Sequence, residues 1–555
     1  MMTSSIMIDI KNLSFRYKTN TPKILDGIHL AIGDGERVLI AGKNGAGKTT
    51  FSKIIAGLIP RVESGVLEGD YFYRGRRVTE YSPREFVREI AILFQDFEAQ
   101  IVSTTVREEL AFYPLNTGRS YDAALENART VCAAFGAEPI FDREIGSLSG
   151  GEKQKTALLS LLSASPGTLI LDEPFTDIDP ASQGLILEFL SRGGYGGGII
   201  LLDQSLEYHA FFDRIIILGD GKILYDGNRD VIADKELLSR AGLEPAGIFK
   251  VLDSGDIAYR EDICGHIRKT RVFDEAACAS CMVSEGSDVS GDNIVEVISL
   301  GYRYRESRGI ALRNIQLEIQ QGDFIAVVGS NGSGKTTLMK LIAGILKTEE
   351  GDIRYRGRSL KQYPVTGNVG YVYQNPDHQI FAETVYDEIA FILRMRKMAE
   401  PEIRERVDAI LQVMGLWNRR DADPFSLPKG DRQKVACASI LAGEPEFVIL
   451  DEPTTGLDYP SLKGLMESVE ALNRNGKTVV VITHSMETAA NFGNKILAMR
   501  QGEIVYFGDK RAFFEDSRLM ETAGARRTEI MDISMRLNGK LLLNDAEFSR
   551  CWKLR

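Results

Sequence analysis

The chain has 555 residues, too many for one small core and enough for three or four domains at about 150 residues each. Its 44% apolar content is ordinary for a globular protein, and a formal net charge of −11 argues against bulk affinity for nucleic acid or anionic lipid. No apolar run reaches the roughly 18 residues that span a bilayer, and the opening MMTSSIMIDIKNLSFRY lacks the regions of a secretory signal, so a cytosolic chain is expected.

In chain order, the first strong pattern is RVLIAG, an apolar β-type run, followed by GKNGAGKT and a helix-period segment with Phe51, Ile54, Ile55 and Leu58 on one face. A glycine-rich loop between strand and helix aims backbone N–H groups and the helix dipole at phosphate. Gly42, Lys43, Asn44, Gly45, Ala46, Gly47, Lys48, Thr49 and Thr50 are therefore candidate nucleotide contacts, with Lys48 neutralising the β/γ-phosphates and Thr49 a Mg²⁺ ligand. LILDE then ends an apolar strand in paired carboxylates. Strand alternation is expected to put Asp172 and Glu173 on opposite sides, one toward Mg²⁺ and one toward an attacking water as general base.

The same order recurs in the second half. GSNGSGKT supplies Gly329, Ser330, Asn331, Gly332, Ser333, Gly334, Lys335 and Thr336, with Thr337 following, and VILDE supplies Asp451 and Glu452. Two homologous halves follow, not a short-period solenoid. Between them, residues 241–293 are polar, with ten acids against five bases, and read as a tether with some local structure. About 50 flexible residues have an r.m.s. reach of roughly 40 Å, enough for the halves to close on each other. The six cysteines are thinly spread, as expected of free thiols in a reducing compartment. Cys264, His266, Cys278 and Cys281 cluster in the tether, but the two-residue spacing of CGH and the acidic surroundings favour incidental cysteines over a metal site. In the tail 518–555, EIMDISMRL reads as an amphipathic helix.

LSGGEKQK, lying after one phosphate loop and before LILDEP, resembles the signature of ATP-binding cassette (ABC) ATPases, and both halves follow that family's motif order. The resemblance covers about 6–240 and 294–517. It implies two α/β P-loop (RecA-like) nucleotide-binding domains in tandem, each with a helical subdomain, and two ATP bound with Mg²⁺ head-to-tail between them. It assigns adenine stacking to Tyr17 and Tyr304, where a ring face suits a flat base. Gln95 and Gln374 match the Q-loop glutamine that touches Mg²⁺ and water, and Asp172 and Asp451 match the Mg²⁺ carboxylates. Asp179 and Asp458 match the D-loop. No [N/T]KxD guanine-reading motif is present, which favours ATP over GTP.

The halves depart from that pattern differently. Aligning LLDQSLE with VITHSME puts Gln204 where the second half has the switch histidine His484, and His209 does not align. LPKGDRQ puts Pro428 and Lys429 where the first half has Ser149 and Gly150. Under head-to-tail pairing, one site combines Lys335, Glu452 and His484 with Ser149, Gly150 and Gly151. The other combines Lys48, Glu173 and Gln204 with Pro428, Lys429 and Gly430. Proline lacks the hydroxyl and the N–H that could reach a γ-phosphate. That site is expected to be slow.

FQDFEAQIVSTTVREELAF and YQNPDHQIFAETVYDEIAF are similar to the ATPases of energy-coupling-factor (ECF) importers, some of which fuse two ATPases in one chain. The implied partners are a membrane coupling subunit and a substrate-binding membrane protein importing a vitamin or transition-metal ion, with this chain peripheral on the cytoplasmic face. The rival is a soluble tandem ATPase acting on ribosomes or nucleic acid, but an acidic tether is the wrong sign for a phosphate-binding arm. A purely structural nucleotide-binding module would need broken catalytic residues, and one composite site has none.

Overall fold

The computed structural model describes residues 6–19, 21–148, 150–175, 178, 180–191, 195–245, 247–252, 263–282, 292–304, 310–348, 350–362, 368–453, 457 and 459–555. Ser149, Asp179 and Asp458 lie outside them. The chain divides into two compact units, Met1–Arg260 and Glu261–Arg555.

In the first unit, one sheet runs in spatial order Ile90–Leu93, Thr168–Asp172, Gly198–Asp203, Arg37–Ala41, Arg214–Gly219 and Lys222–Gly227. All neighbours are parallel except the last pair. Strands such as TLILD are buried throughout, because a parallel sheet is covered on both faces and needs continuous apolar runs. A second, antiparallel sheet is built from Leu25–Gly33, Ile6–Arg16, Val66–Tyr73 and Arg76–Arg77. The helix Lys48–Ile55 buries Phe51, Ile54 and Ile55 in a core shared with both sheets.

The second unit repeats the plan: Val369–Val372, Phe447–Asp451, Thr478–Ile482, Phe324–Val328, Lys495–Arg500 and Glu503–Asp509 in one sheet, Leu312–Gln320, Asn293–Tyr302, Glu350–Tyr355 and Arg358–Ser359 in the other. Each unit adds three helices between its Q-loop strand and its acidic strand. They are Val106–Asn116, Tyr121–Ala134 and Gly150–Ala164 in the first, and Val385–Met395, Glu400–Val413 and Lys429–Leu441 in the second. In the second unit Leu393, Ile403, Val407, Leu411 and Val435 close their interior. Both halves are thus P-loop α/β domains with a helical subdomain. Among the described residues no helix is long and apolar enough to cross a membrane.

Strand order explains why distant motifs meet. In each unit the strand before the phosphate loop, the strand that leads to Gln204 or His484, the acidic strand and the Q-loop strand are consecutive and parallel, so their C-terminal ends open on one edge. Open α/β sheets bind ligands at that edge.

Part of the stretch 241–293 is not a free tether. Ile263–Thr270, Arg271–Phe273 and Glu275–Met282 form helix, strand and helix, and Arg271–Phe273 pairs antiparallel with Trp552–Leu554 at the end of the chain. The physical reason is an apolar seam that composition alone hides: Phe273 packs on Trp552 with ring centroids 5.1 Å apart, and Ile267 is fully buried. The 40 Å flexible reach therefore does not apply to Ile263–Met282. The tail helix Glu529–Asn538 buries Ile530, Met531, Ile533 and Leu537, as its amphipathic pattern predicts.

Candidate nucleotide-binding site

The phosphate loops are shaped by their glycines. Gly47 and Gly334 sit at φ 99° and 102° as the cap residues of the helices that follow, a left-handed geometry that side chains disfavour. A Cβ on Gly42 would lie 2.4 Å from the Leu218 carbonyl oxygen, and one on Gly329 2.2 Å from that of Met499. Lys48 Nζ donates to the carbonyls of Gly42 (2.7 Å) and Lys43 (3.2 Å), and Lys335 Nζ to those of Gly329 (2.8 Å) and Ser330 (3.1 Å). Each ammonium is thereby held over its own loop. The Tyr17 and Tyr304 hydroxyls lie 3.3 and 3.1 Å from those of Thr50 and Thr337, leaving both rings exposed beside the loop.

The acidic pairs come out differently from simple strand alternation. Each strand ends at the aspartate, Asp172 or Asp451, and the next residue turns into left-handed space: Glu173 at φ 50° and Glu452 at φ 49°. Backbone of that kind costs roughly 1–3 kcal/mol and persists where the surroundings enforce it. Here the Glu173 and Glu452 N–H groups donate to Leu202 and Ile482 on the neighbouring strand. The two carboxylates diverge because of that turn, not because of a pleat.

The glutamates then have different neighbours. Glu173 accepts from Gln95 Nε2 at 2.7 Å and lies 3.9 Å from Lys48 Nζ. Glu452 lies 3.2 Å from His484 Nε2 and accepts from the His484 N–H at 3.3 Å. Burial and the Lys335 charge push the His484 imidazole down to about 3, so it meets the glutamate as a neutral ring. Gln204 follows the matching strand, Gly198–Asp203, and its side-chain oxygen is buried without a hydrogen bond. His209 lies elsewhere, with Nδ1 2.8 Å from the Leu206 carbonyl, three residues earlier.

The aspartates fit a Mg²⁺ ion. Asp172 is buried, one carboxylate oxygen accepts from Ser52 Oγ at 2.9 Å, and the other has no partner. Burial, then Glu173, raises its carboxyl to about 6, a burden that a cation would relieve. Asp451 accepts from Thr336 Oγ1 at 3.1 Å and from the Tyr371 hydroxyl at 2.6 Å. One carboxylate and one hydroxyl beside phosphate contacts is the usual protein share of a Mg²⁺ site. By contrast, no cluster of three or more His, Cys, Asp or Glu among the described residues could hold a metal, the Cys264–Cys281 stretch included.

Several site residues escaped the motif reading. Asp203 stands where the second half has Thr483; its carboxylate accepts from Ser205 N and Oγ, both at 2.8 Å. Lys153 pairs with Glu98 at 2.9 Å and Arg432 with Asp377 at 2.7 Å, tying each signature helix to its Q-loop. Glu109 accepts from Val102 N and Ser103 N, and Glu388 from Phe381 N and Ala382 N, which explains the acid in VREELAF and VYDEIAF. The exact repetition of these pairs at matching positions was the available signal. At the signatures, the helix Lys429–Leu441 begins at Pro428, which gives no side-chain cap bond, and a Cβ on Gly150 would meet nothing within 4 Å. A side chain at that glycine's position is therefore tolerated within its own unit.

Phosphate loop, acidic pair and Q-loop glutamine meeting at one sheet edge, twice in one chain, define a tandem nucleotide-binding ATPase that uses ATP and Mg²⁺. Residues 25–176 and 312–455 match the model of the ABC transporter family, and the chain belongs to that family. It is 38% identical, over the full length of both chains, to a putative ABC transporter ATP-binding protein of Caldanaerobacter subterraneus subsp. tengcongensis. It is 32% identical to one of Methanosarcina mazei, over 93% of this chain and 91% of the relative. Among solved structures, cbiO1 of Clostridium perfringens, described as part of the ABC transporter complex cbiONQ, is similar at 30% identity and a TM-score of 0.37, covering 41% of this chain and 94% of its own.

Proposed function

We propose that this chain is the energy-coupling ATPase of an ECF-type importer, with nucleotide-binding domains at 6–240 and 294–517 that close head-to-tail on two ATP. The observation that carries the reading is an apolar platform beside each Q-loop. Phe381 and Phe391 are 60% and 43% exposed, with rings in edge contact at 4.8 Å. Gln379 and Glu388 hold the loop that presents Phe381, through Tyr373 N and the Phe381 and Ala382 N–H groups, and Phe391 stands on the helix Val385–Met395 that carries Glu388. The first half presents Val102 and Phe112, 60% and 45% exposed, on the same framework of Gln100 and Glu109. Exposed aromatics on a built loop mark a protein-docking surface, and the occupant proposed is the membrane coupling subunit.

In the consensus site Lys335 and the loop N–H groups would hold the phosphates, and Thr336, Asp451 and Gln374 would hold Mg²⁺, which when bound would neutralise phosphate charge. Glu452 accepts the proton of the attacking water, and neutral His484 orients it. Ser149, Gly150 and Gly151 complete that site from the other half. The second site keeps Lys48, Thr49, Asp172, Gln95 and Glu173 but meets Pro428 and Lys429, so it holds nucleotide more than it turns it over.

The test is recruitment. The chain should bind membranes containing the coupling subunit, and Phe112→Ser with Phe391→Ser should abolish that binding while basal ATP hydrolysis persists. Equal binding to membranes lacking the subunit would sink the importer reading.

A further inference from the structure

The cysteines between the two halves do not lie in a free tether. Cys278 and Cys281 are on the helix Glu275–Met282, where spacing of three puts both on one face. That helix packs on Asp545–Cys551, the last helix of the chain. The two are tied at both ends. At one end Asp274 N donates to the Cys551 carbonyl at 2.8 Å, and Lys553 Nζ reaches Asp274 at 2.7 Å. At the other, Arg511 Nη2 donates to the Cys281 carbonyl at 3.1 Å and to Glu547 Oε1 at 2.5 Å. The packing of the two helices between these ties brings the Cys551 thiol beside Cys278 and Cys281, close enough for the three side chains to influence one another. Cys278 and Cys551 are buried, whereas Cys281 is partly exposed, and all are free thiols.

We propose that Cys278, Cys281 and Cys551 form an oxidisable thiol site that takes a low-molecular-weight disulfide, with Cys281 as the entry thiol and Cys551 as its resolving partner. The Cys281 thiolate attacks one sulfur of the disulfide, forming a mixed disulfide and expelling one thiolate. Cys551 then loses its proton and attacks Sγ of Cys281, which releases the second small thiol. Two protein thiols become one disulfide, and one small disulfide becomes two thiols. Burial and the neighbouring thiols push the Cys551 thiol well up, which disfavours it as the entry thiol and leaves that role to the partly exposed Cys281. Cys278 and Cys281 do not pair with each other, because successive turns of an intact helix hold their Cβ atoms too far apart for disulfide geometry.

The product joins the segment between the halves to the C-terminal tail across a long loop, the case in which a cross-link constrains the unfolded chain most.

The experiment uses the full chain, fully reduced and then treated with oxidised glutathione. Unreacted thiols are alkylated, and the disulfide peptides are mapped. The expected result is a Cys281–Cys551 linkage, loss of two of the six free thiols, and a raised melting temperature that dithiothreitol reverses. Cys551→Ser should stop at a glutathione adduct on Cys281. Cys281→Ser, at a partly exposed position, should leave the reduced chain's melting temperature unchanged and abolish adduct and cross-link alike. A Cys278–Cys281 linkage, an unchanged thiol titre, or cross-linking that survives Cys281→Ser would overturn the proposal.

Discussion

The Tyr371 hydroxyl donates to Asp451 at 2.6 Å, directly linking the Q-loop strand to the carboxylate proposed to hold Mg²⁺. The first half has no such link. Ile92 stands at the matching position on Ile90–Leu93, and Asp172 is held instead by Ser52, on the helix after the phosphate loop. The second half has Met339 where Ser52 stands. Beyond the threonine of the phosphate loop, each half therefore steadies its aspartate from a different element, Ser52 in the first and Tyr371 in the second.

This exchange makes a rescue experiment possible. Tyr371→Phe removes a hydrogen bond to a charged group, a loss of roughly 1.5–3 kcal/mol, or about ten- to a hundredfold. The Mg²⁺ concentration for half-maximal hydrolysis should rise by about that factor, with Mg²⁺-free ATP binding unchanged. Adding Met339→Ser should recover most of the loss by supplying the first half's anchor. Failure of the rescue, with the fold intact by circular dichroism, would show that the tyrosine acts through packing.

The glutamates should be unequal. Glu452→Gln should remove nearly all steady-state phosphate release, and Glu173→Gln much less. Ser149→Ala should resemble damage to Lys335, because under head-to-tail closure they serve one nucleotide. Equal loss in the two Glu→Gln variants would mean alternating, coupled sites.

Restoring the weak site is the converse test. Pro428→Ser with Gln204→His returns a hydroxyl, an N–H and the imidazole that Glu173 lacks. Turnover should rise, measured as phosphate release per chain with the membrane partner present. Because a Cβ is tolerated at the glycine matching Lys429, that lysine is not required to change for the signature helix to fold. No rise in turnover would show that the signature and switch positions do not limit this site.

Stability should carry a pH signature in the first half. Enclosure, then the Glu173 charge, raises the Asp203 carboxyl from 3.8 to about 7. Between those values the folded chain holds a proton that the unfolded chain has lost. This group's contribution is therefore fully present below 3.8 and is lost as pH rises through about 7. Asp203→Asn removes that dependence. Its melting temperature relative to the parent should climb between pH 5 and pH 8, and a difference that stays flat would refute the assignment.

The tandem architecture and both phosphate loops were legible in the sequence, because loop, strand and helix signals are local and occur twice. Glycine spacing encodes a backbone path whose cause lies within a few residues, as at Gly47 and Gly334. The sequence also exposed Gln204, Pro428 and Lys429, since each sits in a motif with an intact copy for comparison. What lay beyond it depended on contacts between distant segments. The left-handed turn at Glu173 and Glu452 is imposed by neighbouring strands, not by the LDE motif. The exchange of Ser52 for Tyr371 is visible only once two elements meet at one aspartate. The pairing of Arg271–Phe273 with Trp552–Leu554 brings together segments at opposite ends of the second unit. Polar composition marked the first of them as a tether with some local structure, and only tertiary structure supplied the apolar partner on which it folds.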